Sequence, residues 1–404
     1  MKSINNNNNI LVFVYLFGFF SLFLYNINNL FYNLNYFNII LSLIVFFIFL
    51  NFFFKFITTL LTNNLIFILI IMLSSFICFF TNNIIIFYFS YELSILPILF
   101  LLLNNSPYSE RYLAAWYLLG YVSFTSFPLV LSLIFLLFTN NNEFININFN
   151  NIIISSILFI LFIIKIPLFP FHNWGPIVHA EANTLVSILL SGFIMKLGIN
   201  GIFKFCENLT FYLENFIIIV FISSIFFLIV TFFEIDIKRW LAYLSLAHIT
   251  ISAIGFYTCE NDNFIVVSLF CLGHGFSAAS LFFLFEYIYN LVGSRNWLIL
   301  LINNNFNVLF KIILVLNFLT LISFPLSLQF LSEVEIILNG CSNIIILSIF
   351  LIYSIFSSTF PLIILSLILC RNVYCSFNIS QINNNFVYSC ITLSLMGTLG
   401  GYLL

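Results

Sequence analysis

Long apolar runs separated by short polar joints make up most of this chain. A membrane-spanning helix needs about 20 apolar residues, and a helix satisfies its own backbone polar groups in lipid. The pattern therefore predicts an all-α polytopic membrane protein with about 13 transmembrane helices, within a range of about 12–14. The predicted spans lie near residues 10–25, 37–57, 62–80, 84–103, 112–138, 152–171, 183–203, 211–233, 237–258, 264–290, 306–340, 343–370 and 386–403.

Two of these spans carry internal breaks. The segment 306–340 is too long for one straight crossing, because at about 1.5 Å per residue it exceeds a hydrocarbon core of about 30 Å. The sequence SFPLS at 323–327 interrupts it. Pro167 and Pro170 interrupt the segment 152–171, where proline removes a backbone donor and disrupts the helix. The sequence therefore predicts two broken helices.

Composition supports one membrane domain over residues 1–404. The chain is 63% hydrophobic and 6% charged, whereas soluble domains are about a quarter charged. Its net charge of -2 gives no electrostatic basis for binding nucleic acid. The eight cysteines are scattered, and the closest pair, Cys370 and Cys375, is not a CxxC motif. We therefore expect no zinc or iron–sulfur site.

The basic residues predict an orientation. If the spans are counted from the amino end, most of the basic residues between them fall on the amino-terminal side. These are Lys2, Lys55, Arg111, Lys238, Arg239 and Arg295. The positive-inside rule then places the amino terminus in the matrix or cytoplasm. Asparagine runs such as 5–9 are typical of an AT-rich organelle genome.

Most charged residues lie in or near the joints between spans, but six ionisable residues stand out further inside the spans. They are Glu92, Lys165, Lys196, His248, His274 and Glu333. A charged side chain at the bilayer centre costs about 2.5–3.5 kcal/mol or more, so such residues usually face each other or water. Glu335 lies two residues beyond Glu333 and is predicted to point away from it on a helix.

A glutamate beside a lysine is suited to proton transfer. Removal from water favours the neutral form of each group, whereas an opposite charge nearby favours the ionised form. The proton affinity of each therefore depends on the state of its neighbour, as a relay requires. Taken singly, Lys165 could also extend its ammonium to the membrane interface, and His248 could be a hydrogen-bonded core residue. The break beside Lys165 favours a shared polar site, since free backbone groups are tolerated where they meet protein or water.

Several motifs occur in one order along residues 84–340. They are YELSILPILFLLL, ERYLAAWYLLGYVSFTSFPLVL, KIPLFPFHNWGPIVHAEANTLVSILLSGFIMKLGINGIFKF, RWLAYLSLAHITI, GHGFSAASLFF and SFPLSLQFLSEVEI. In this order they resemble the antiporter-like subunit family of the respiratory NADH:ubiquinone oxidoreductase. The sequence departs from the family's form at Gly175, Ile177 and Asn183, around His179 and Glu181.

The resemblance implies a role for each of the six residues. Glu92 and Lys165 match the family's coupled acid–base pair, and Lys196 matches its central lysine. His248 and His274 match its connecting histidines. Glu333 matches its terminal proton-exchange residue, where the sister subunits 2 and 5 generally carry lysine.

The resemblance also implies a fold and a setting. The fold would have two inverted five-helix repeats in a core at 84–340, flanked by helices within 1–83 and 341–404. The cofactors NADH, FMN, the iron–sulfur clusters and ubiquinone would belong to partner subunits, with none in this chain. Expected partners are the other subunits of the complex, especially the antiporter-like subunits 2 and 5, together with membrane lipids such as cardiolipin.

Three functions are compatible with these features. The first is a proton-translocating subunit of the membrane arm in the mitochondrial inner membrane, driven by redox chemistry in other subunits. The alternative is a subunit of an Mrp-type cation/proton antiporter, which would transport sodium without redox partners. The third is a scaffold that conducts no protons, although a scaffold would gain stability by replacing its buried ionisable residues with leucine.

Overall fold

Helices account for almost all of the described structure. The computed structural model describes residues 36–56, 62–139, 152–206, 214–259, 264–297, 308–370 and 384–403. The predicted span near 10–25 lies outside these residues. The helices are α1 (Tyr36–Phe56), α2 (Thr62–Phe80), α3 (Ile84–Asn105), α4 (Arg111–Thr139), α5 (Ile152–Lys165), α6 (Trp174–Glu181), α7 (Thr184–Leu189), α8 (Met195–Cys206), α9 (Glu214–Phe233), α10 (Ile237–Thr258), α11 (Phe264–Val292), α12 (Val308–Leu321), α13 (Leu328–Gly340), α14 (Ile344–Cys370) and α15 (Asn384–Leu403).

Both predicted breaks are present. Helix α5 ends at Lys165 and α6 begins at Trp174, while α12 ends at Leu321 and α13 begins at Leu328. A third irregularity was not predicted. The span expected as one helix at 183–203 contains a π-helical turn, Leu190–Ile194, between α7 and α8. The predicted inverted repeats stay a prediction, as does the division at residues 84 and 340.

Exposed apolar faces show that this is a polytopic membrane protein. Among the described residues, seven helical segments are long and apolar enough to cross a membrane. On α3, Phe89, Leu93, Leu96 and Phe100 are each at least half exposed. Their spacing of three or four residues places them on one face, and Tyr91 lies buried on the other. Such a face suits contact with lipid chains.

The centre of the molecule is formed by α7, α8, α10 and α11. Every residue from Thr184 to Ile202 is buried, and most of α10 and α11 is buried too. A helix that is apolar all round belongs in the interior of a large bundle. These central helices carry Lys196, His248 and His274, so three of the six predicted site residues are shielded from lipid by a ring of other helices.

One face of the bundle gathers four joints between helices. Lys238, at the start of α10, donates a hydrogen bond to the carbonyl of Ala182 at 2.7 Å. Arg295, just after α11, donates to the carbonyl of Ala180 and lies 3.9 Å from the ring centre of Tyr108. These contacts agree with the count of predicted spans, which placed the joints after α3, α6, α9 and α11 on one side.

The opposite face has its own set of contacts. Lys204 at the end of α8 donates to the carbonyl of Thr81 at 2.8 Å, at the end of α2. Asn343, before α14, donates to the Glu214 carboxylate at 2.9 Å, at the start of α9. The alternation of the two faces along the chain is therefore the one that the predicted spans require.

Candidate functional site

Glu92 and Lys165 form a buried ion pair. The Glu92 Oε1 and Lys165 Nζ atoms are 2.7 Å apart, and the two side chains are 15% and 3% exposed. The ammonium also lies 4.0 Å from the ring centre of Tyr91. A cation over an aromatic face is further stabilised by the ring's quadrupole. Lys165 therefore points into the bundle instead of extending to the membrane interface.

The chain at the break after α5 forms one side of the site around the ion pair. Lys165 is the last residue of α5, and the Trp174 indole donates to the carbonyl of Ile164 at 3.0 Å across the break. This bond satisfies a carbonyl that the interrupted helix leaves free. A small cavity of about 20 Å³ lies beside Lys165. Its lining includes Tyr91, Tyr121, Ile164, Lys165, Trp174, Leu190 and Ile194. The cavity has room for about one water.

The π-helical turn positions the central lysine. Lys196 is fully buried, and its ammonium donates to the carbonyl of Ser191 inside the turn. The wider turn is closed by the Met195 N–H, which bonds the carbonyl of Leu190. Single π-helical turns inside α-helices are frequent at functional sites. Lys196 also lies close enough to His274 on α11 for their charges to interact.

The two predicted histidines are neighbours on adjacent helices. The ring centres of His248 on α10 and His274 on α11 are 5.5 Å apart, and both side chains are buried. His248 Nε2 and both ring nitrogens of His274 have no hydrogen-bond partner within the described part of the chain. Buried polar atoms nearly always bond protein or water. These nitrogens are therefore where bound water is expected.

Glu333 lies in a polar cluster at the second break. Its Oε1 atom accepts hydrogen bonds from the Ser323 hydroxyl at 2.9 Å and the Gln329 amide at 3.3 Å. It lies 3.9 Å from His248 Nδ1. Ser323 has a φ of 60°, in the left-handed region, where the broken helix turns. A small polar residue tolerates this conformation better than a branched one, and it aims its hydroxyl at Glu333.

The six predicted residues thus fall into two groups. The structure pairs Glu92 with Lys165, and it brings His274, His248 and Glu333 together, with Lys196 in electrostatic range of His274. Their roles in proton transfer stay a prediction. Glu335 lies on the same helix as Glu333 and is exposed.

Sequence reasoning missed several partners of these residues. Gln329 and Tyr353 both contact His248, and Ser323 contacts Glu333. Gln329 carries a usable signal, since it lies four residues before Glu333 and so on the same face of α13. Tyr353 carries none, because it is one of 19 tyrosines and lies in a different span.

The departures from the family pattern leave the segment after the first break intact. Helix α6 forms over Trp174–Glu181, and Asn183 takes the N-cap position of α7. His179 and Glu181 are both buried, and the His179 ring stacks on Phe282 with centres 5.4 Å apart.

As for metal binding, no group of three or more His, Cys, Asp or Glu side chains suited to an ion occurs among the described residues.

Gly273 fixes the distance between α11 and the second break. A Cβ atom at this position would lie 2.8 Å from the backbone nitrogen of Gln329, closer than real Cβ atoms approach. Glycine therefore lets α11 pack directly on the start of α13. This close approach holds Gln329 against His248. Gly275 is similar, since its Cβ would lie 2.9 Å from the carbonyl of Gly192.

Gly273→Ala is expected to destabilise the protein by about 1–3 kcal/mol, the usual cost of overpacking a core. The added methyl must push backbone against backbone, which cannot move aside like a flexible side chain. Thermal unfolding of the detergent-solubilised protein measures the effect. Gly120→Ala is the matched control, because nothing lies within 4 Å of its added Cβ. Equal melting temperatures for the two variants would contradict the close packing.

Comparison with known proteins identifies the family of this chain. The family model described as NADH:quinone oxidoreductase/Mrp antiporter, transmembrane, matches residues 81–360. The chain belongs to this family. The resemblance inferred from the sequence motifs is thereby confirmed.

Individual relatives agree. The chain is 33% identical over 294 residues to NADH-ubiquinone oxidoreductase chain 4 of Locusta migratoria, covering 68% of this chain and 64% of the locust protein. It is also similar to the same chain of Caenorhabditis elegans, at 31% identity over 63% of this chain and 62% of the worm protein. The family member thus spans less than two thirds of the length of these curated relatives.

A solved structure shows the same fold. The chain resembles a subunit of the Mrp complex from Dietzia sp. DQ12-45-1b, with a TM-score of 0.79 at 13% identity. The likeness covers 91% of this chain and 81% of that one. At this identity it establishes the antiporter-like fold, and the function is argued from the site.

Proposed function

We propose that this family member is a proton-translocating subunit, of the chain 4 type, in the membrane arm of NADH:ubiquinone oxidoreductase. The curated relatives named above support the assignment to this complex. The buried ionisable side chains support proton movement, because such groups are rare and costly in a membrane and mark proton paths where they occur. The single observation that carries the proposal is the cluster that His274 and His248 of the central helices form with Glu333 beside the second break.

The proposed path runs along the length of the bundle. Opening of the Glu92–Lys165 pair would change the charge felt by Lys196, since buried charges interact strongly over several ångströms. A proton would then pass from the lysines through water to His274 and His248, and reach Glu333 beside the second break. The redox chemistry that opens the pair would take place in other subunits.

The proposal includes the setting of the protein. NADH, FMN, the iron–sulfur clusters and ubiquinone would be bound by partner subunits and not by this chain. Its nearest partners would be the antiporter-like subunits 2 and 5, with cardiolipin among the lipids at its surface. We place it in the mitochondrial inner membrane. The face that carries Lys238 and Arg295 would lie in the matrix together with the amino terminus, in keeping with the positive-inside rule.

An Mrp-type antiporter subunit is the competing function, favoured by the likeness of the fold to the Dietzia complex. It predicts sodium transport that needs no NADH. Purification separates the two functions. We expect the chain to co-purify with flavin and iron–sulfur subunits, and a purified assembly without them that exchanges sodium for protons would overturn the proposal.

Glu333→Gln is expected to lower the number of protons moved per NADH oxidised, because an amide cannot release a proton in the working pH range. Closed membrane vesicles that contain the whole complex allow both rates to be measured. Glu335→Gln is the matched control, since Glu335 lies on the same helix but is exposed and outside the cluster. An unchanged proton yield in Glu333→Gln would remove Glu333 from the path.

A further inference from the structure

The hydroxyl group of Tyr353 contacts His248 inside the polar cluster. Its Oη atom is 2.6 Å from His248 Nδ1, and the side chain is 1% exposed. We propose that Tyr353 is a positioning residue that gates proton exchange between His248 and Glu333. This inference rests on the proposed function and adds a gate to the path.

Three side chains compete for one nitrogen of His248. Tyr353 Oη is the nearest at 2.6 Å, Gln329 Nε2 lies at 3.1 Å, and Glu333 Oε1 is the most distant at 3.9 Å. A ring nitrogen carries either one lone pair or one hydrogen. It therefore makes one strong hydrogen bond, and the shortest distance assigns that bond to Tyr353.

Direct transfer between His248 and Glu333 is blocked in this arrangement. A separation of 3.9 Å exceeds the range of a hydrogen bond, which ends near about 3.2 Å. Gln329 bridges the two groups, since its amide nitrogen also reaches Glu333 at 3.3 Å. However, an amide nitrogen only donates and cannot accept a proton to pass on. The bridge therefore holds the two groups in place without conducting between them.

The Tyr353 hydroxyl can form a hydrogen bond with Nδ1 in both charge states of His248. With neutral His248, the Tyr353 O–H donates to the lone pair on Nδ1. With a proton on Nδ1, the N–H donates to the Tyr353 oxygen, and the phenol hydrogen turns to another acceptor. Ser357, one helical turn further along α14, is close enough to interact with the phenol. The phenol gains and loses no proton in either state.

The gate opens when the phenol leaves Nδ1. Water or the Glu333 carboxylate can then take its place, and the proton on Nδ1 can pass to Glu333. While the phenol stays in place, protons on Glu333 cannot return to His248. Tyr353 is therefore positioned to prevent protons from flowing back from Glu333 to His248.

Tyr353→Phe removes the hydroxyl group and keeps the ring. In closed vesicles that contain the whole complex, we expect NADH oxidation to continue while fewer protons are moved per NADH. Passive proton conductance should rise about two- to tenfold, the size expected for loss of one hydrogen bond. Oxidation should also become less sensitive to an opposing pH gradient. Tyr243→Phe is the control, since Tyr243 lies on α10 outside the cluster.

Three outcomes would overturn the gate. One is an unchanged proton yield with unchanged passive conductance. Another is a parallel fall in oxidation and pumping at a constant ratio, which would make the phenol part of the conducting path. The third applies if Tyr353→Phe does not assemble. Ser357→Ala then removes the group that interacts with the phenol and leaves the His248–Glu333 bridge untouched, so an unchanged proton yield with unchanged conductance in that variant would contradict gating by Tyr353.

A parallel arm with Lys165→Met separates this proposal from the proposed function. If pumping is intact in Lys165→Met, the chain does not move protons as proposed and the path itself fails. If Lys165→Met lowers pumping but Tyr353→Phe behaves as the wild type, the path holds and only the gate is wrong.

Discussion

Replacing Lys165 with methionine is expected to lower both the stability of the protein and its proton pumping. The change leaves Glu92 buried without the ammonium that now lies 2.7 Å away. Removing one partner of a buried ion pair typically costs about 3–5 kcal/mol, because the other charge loses its compensation. Native electrophoresis of solubilised membranes measures the amount of assembled complex, and closed vesicles measure the protons moved per NADH.

The double variant Glu92→Gln/Lys165→Met separates the two losses. Replacing both partners with neutral groups of similar volume is often close to neutral for stability. We therefore expect assembly to recover towards the wild-type amount while pumping stays low. Recovery of pumping in the double variant would show that the pair is a structural contact and has no part in proton movement.

Replacing Lys196 with methionine is expected to abolish the proton movement that depends on this chain while leaving stability unchanged or higher. Lys196 is fully buried, and its bonded partner is a backbone carbonyl, not a carboxylate. No counter-charge is stranded when the amine is removed, and methionine fills a similar volume. Burying an amine costs free energy that a thioether does not. The melting temperature and the proton yield test the two halves of this expectation.

Lys311→Met provides the matched control for that variant. Lys311 lies near the start of α12 and is partly exposed, so the same substitution there removes a charge outside the path. Equal pumping in Lys196→Met and Lys311→Met would exclude Lys196 from the path. The contrast between Lys165 and Lys196 also matters, since within the described part of the chain Lys165 has a carboxylate partner and Lys196 has none. Lys165→Met should lose both pumping and stability, whereas Lys196→Met should lose pumping alone.

Most of the fold could be predicted because lipid imposes a simple requirement on the chain. A span must be helical and about 20 residues long, so its bounds can be found from hydropathy. The predicted break at SFPLS appears between α12 and α13, and the one at Pro167 and Pro170 appears between α5 and α6. The π-helical turn at Leu190–Ile194 could not be predicted, since nothing in LSGFI distinguishes it from an ordinary helical turn.

The candidate site was predictable in its residue types and not in its contacts. Glu92 and Lys165 stood out because an ionisable group in an apolar span is rare and costly. Their pairing at 2.7 Å depends on how α3 packs beside α5, which hydropathy does not describe. Tyr353 was missed for the same reason, because its span is separated from His248 by about a hundred residues.

The sequence by itself determined that the chain crosses a membrane many times and that some ionisable groups, among them Glu92, Lys165 and Lys196, lie inside its spans. Those properties follow from the free energy of moving each residue type into hydrocarbon, which acts on every segment separately. Only the tertiary structure decided which groups meet, that the phenol of Tyr353 contacts His248, and that Lys196 has no carboxylate partner among the described residues. Those properties depend on side-chain packing between helices that are distant in sequence, where distances of a few tenths of an ångström decide which hydrogen bonds form.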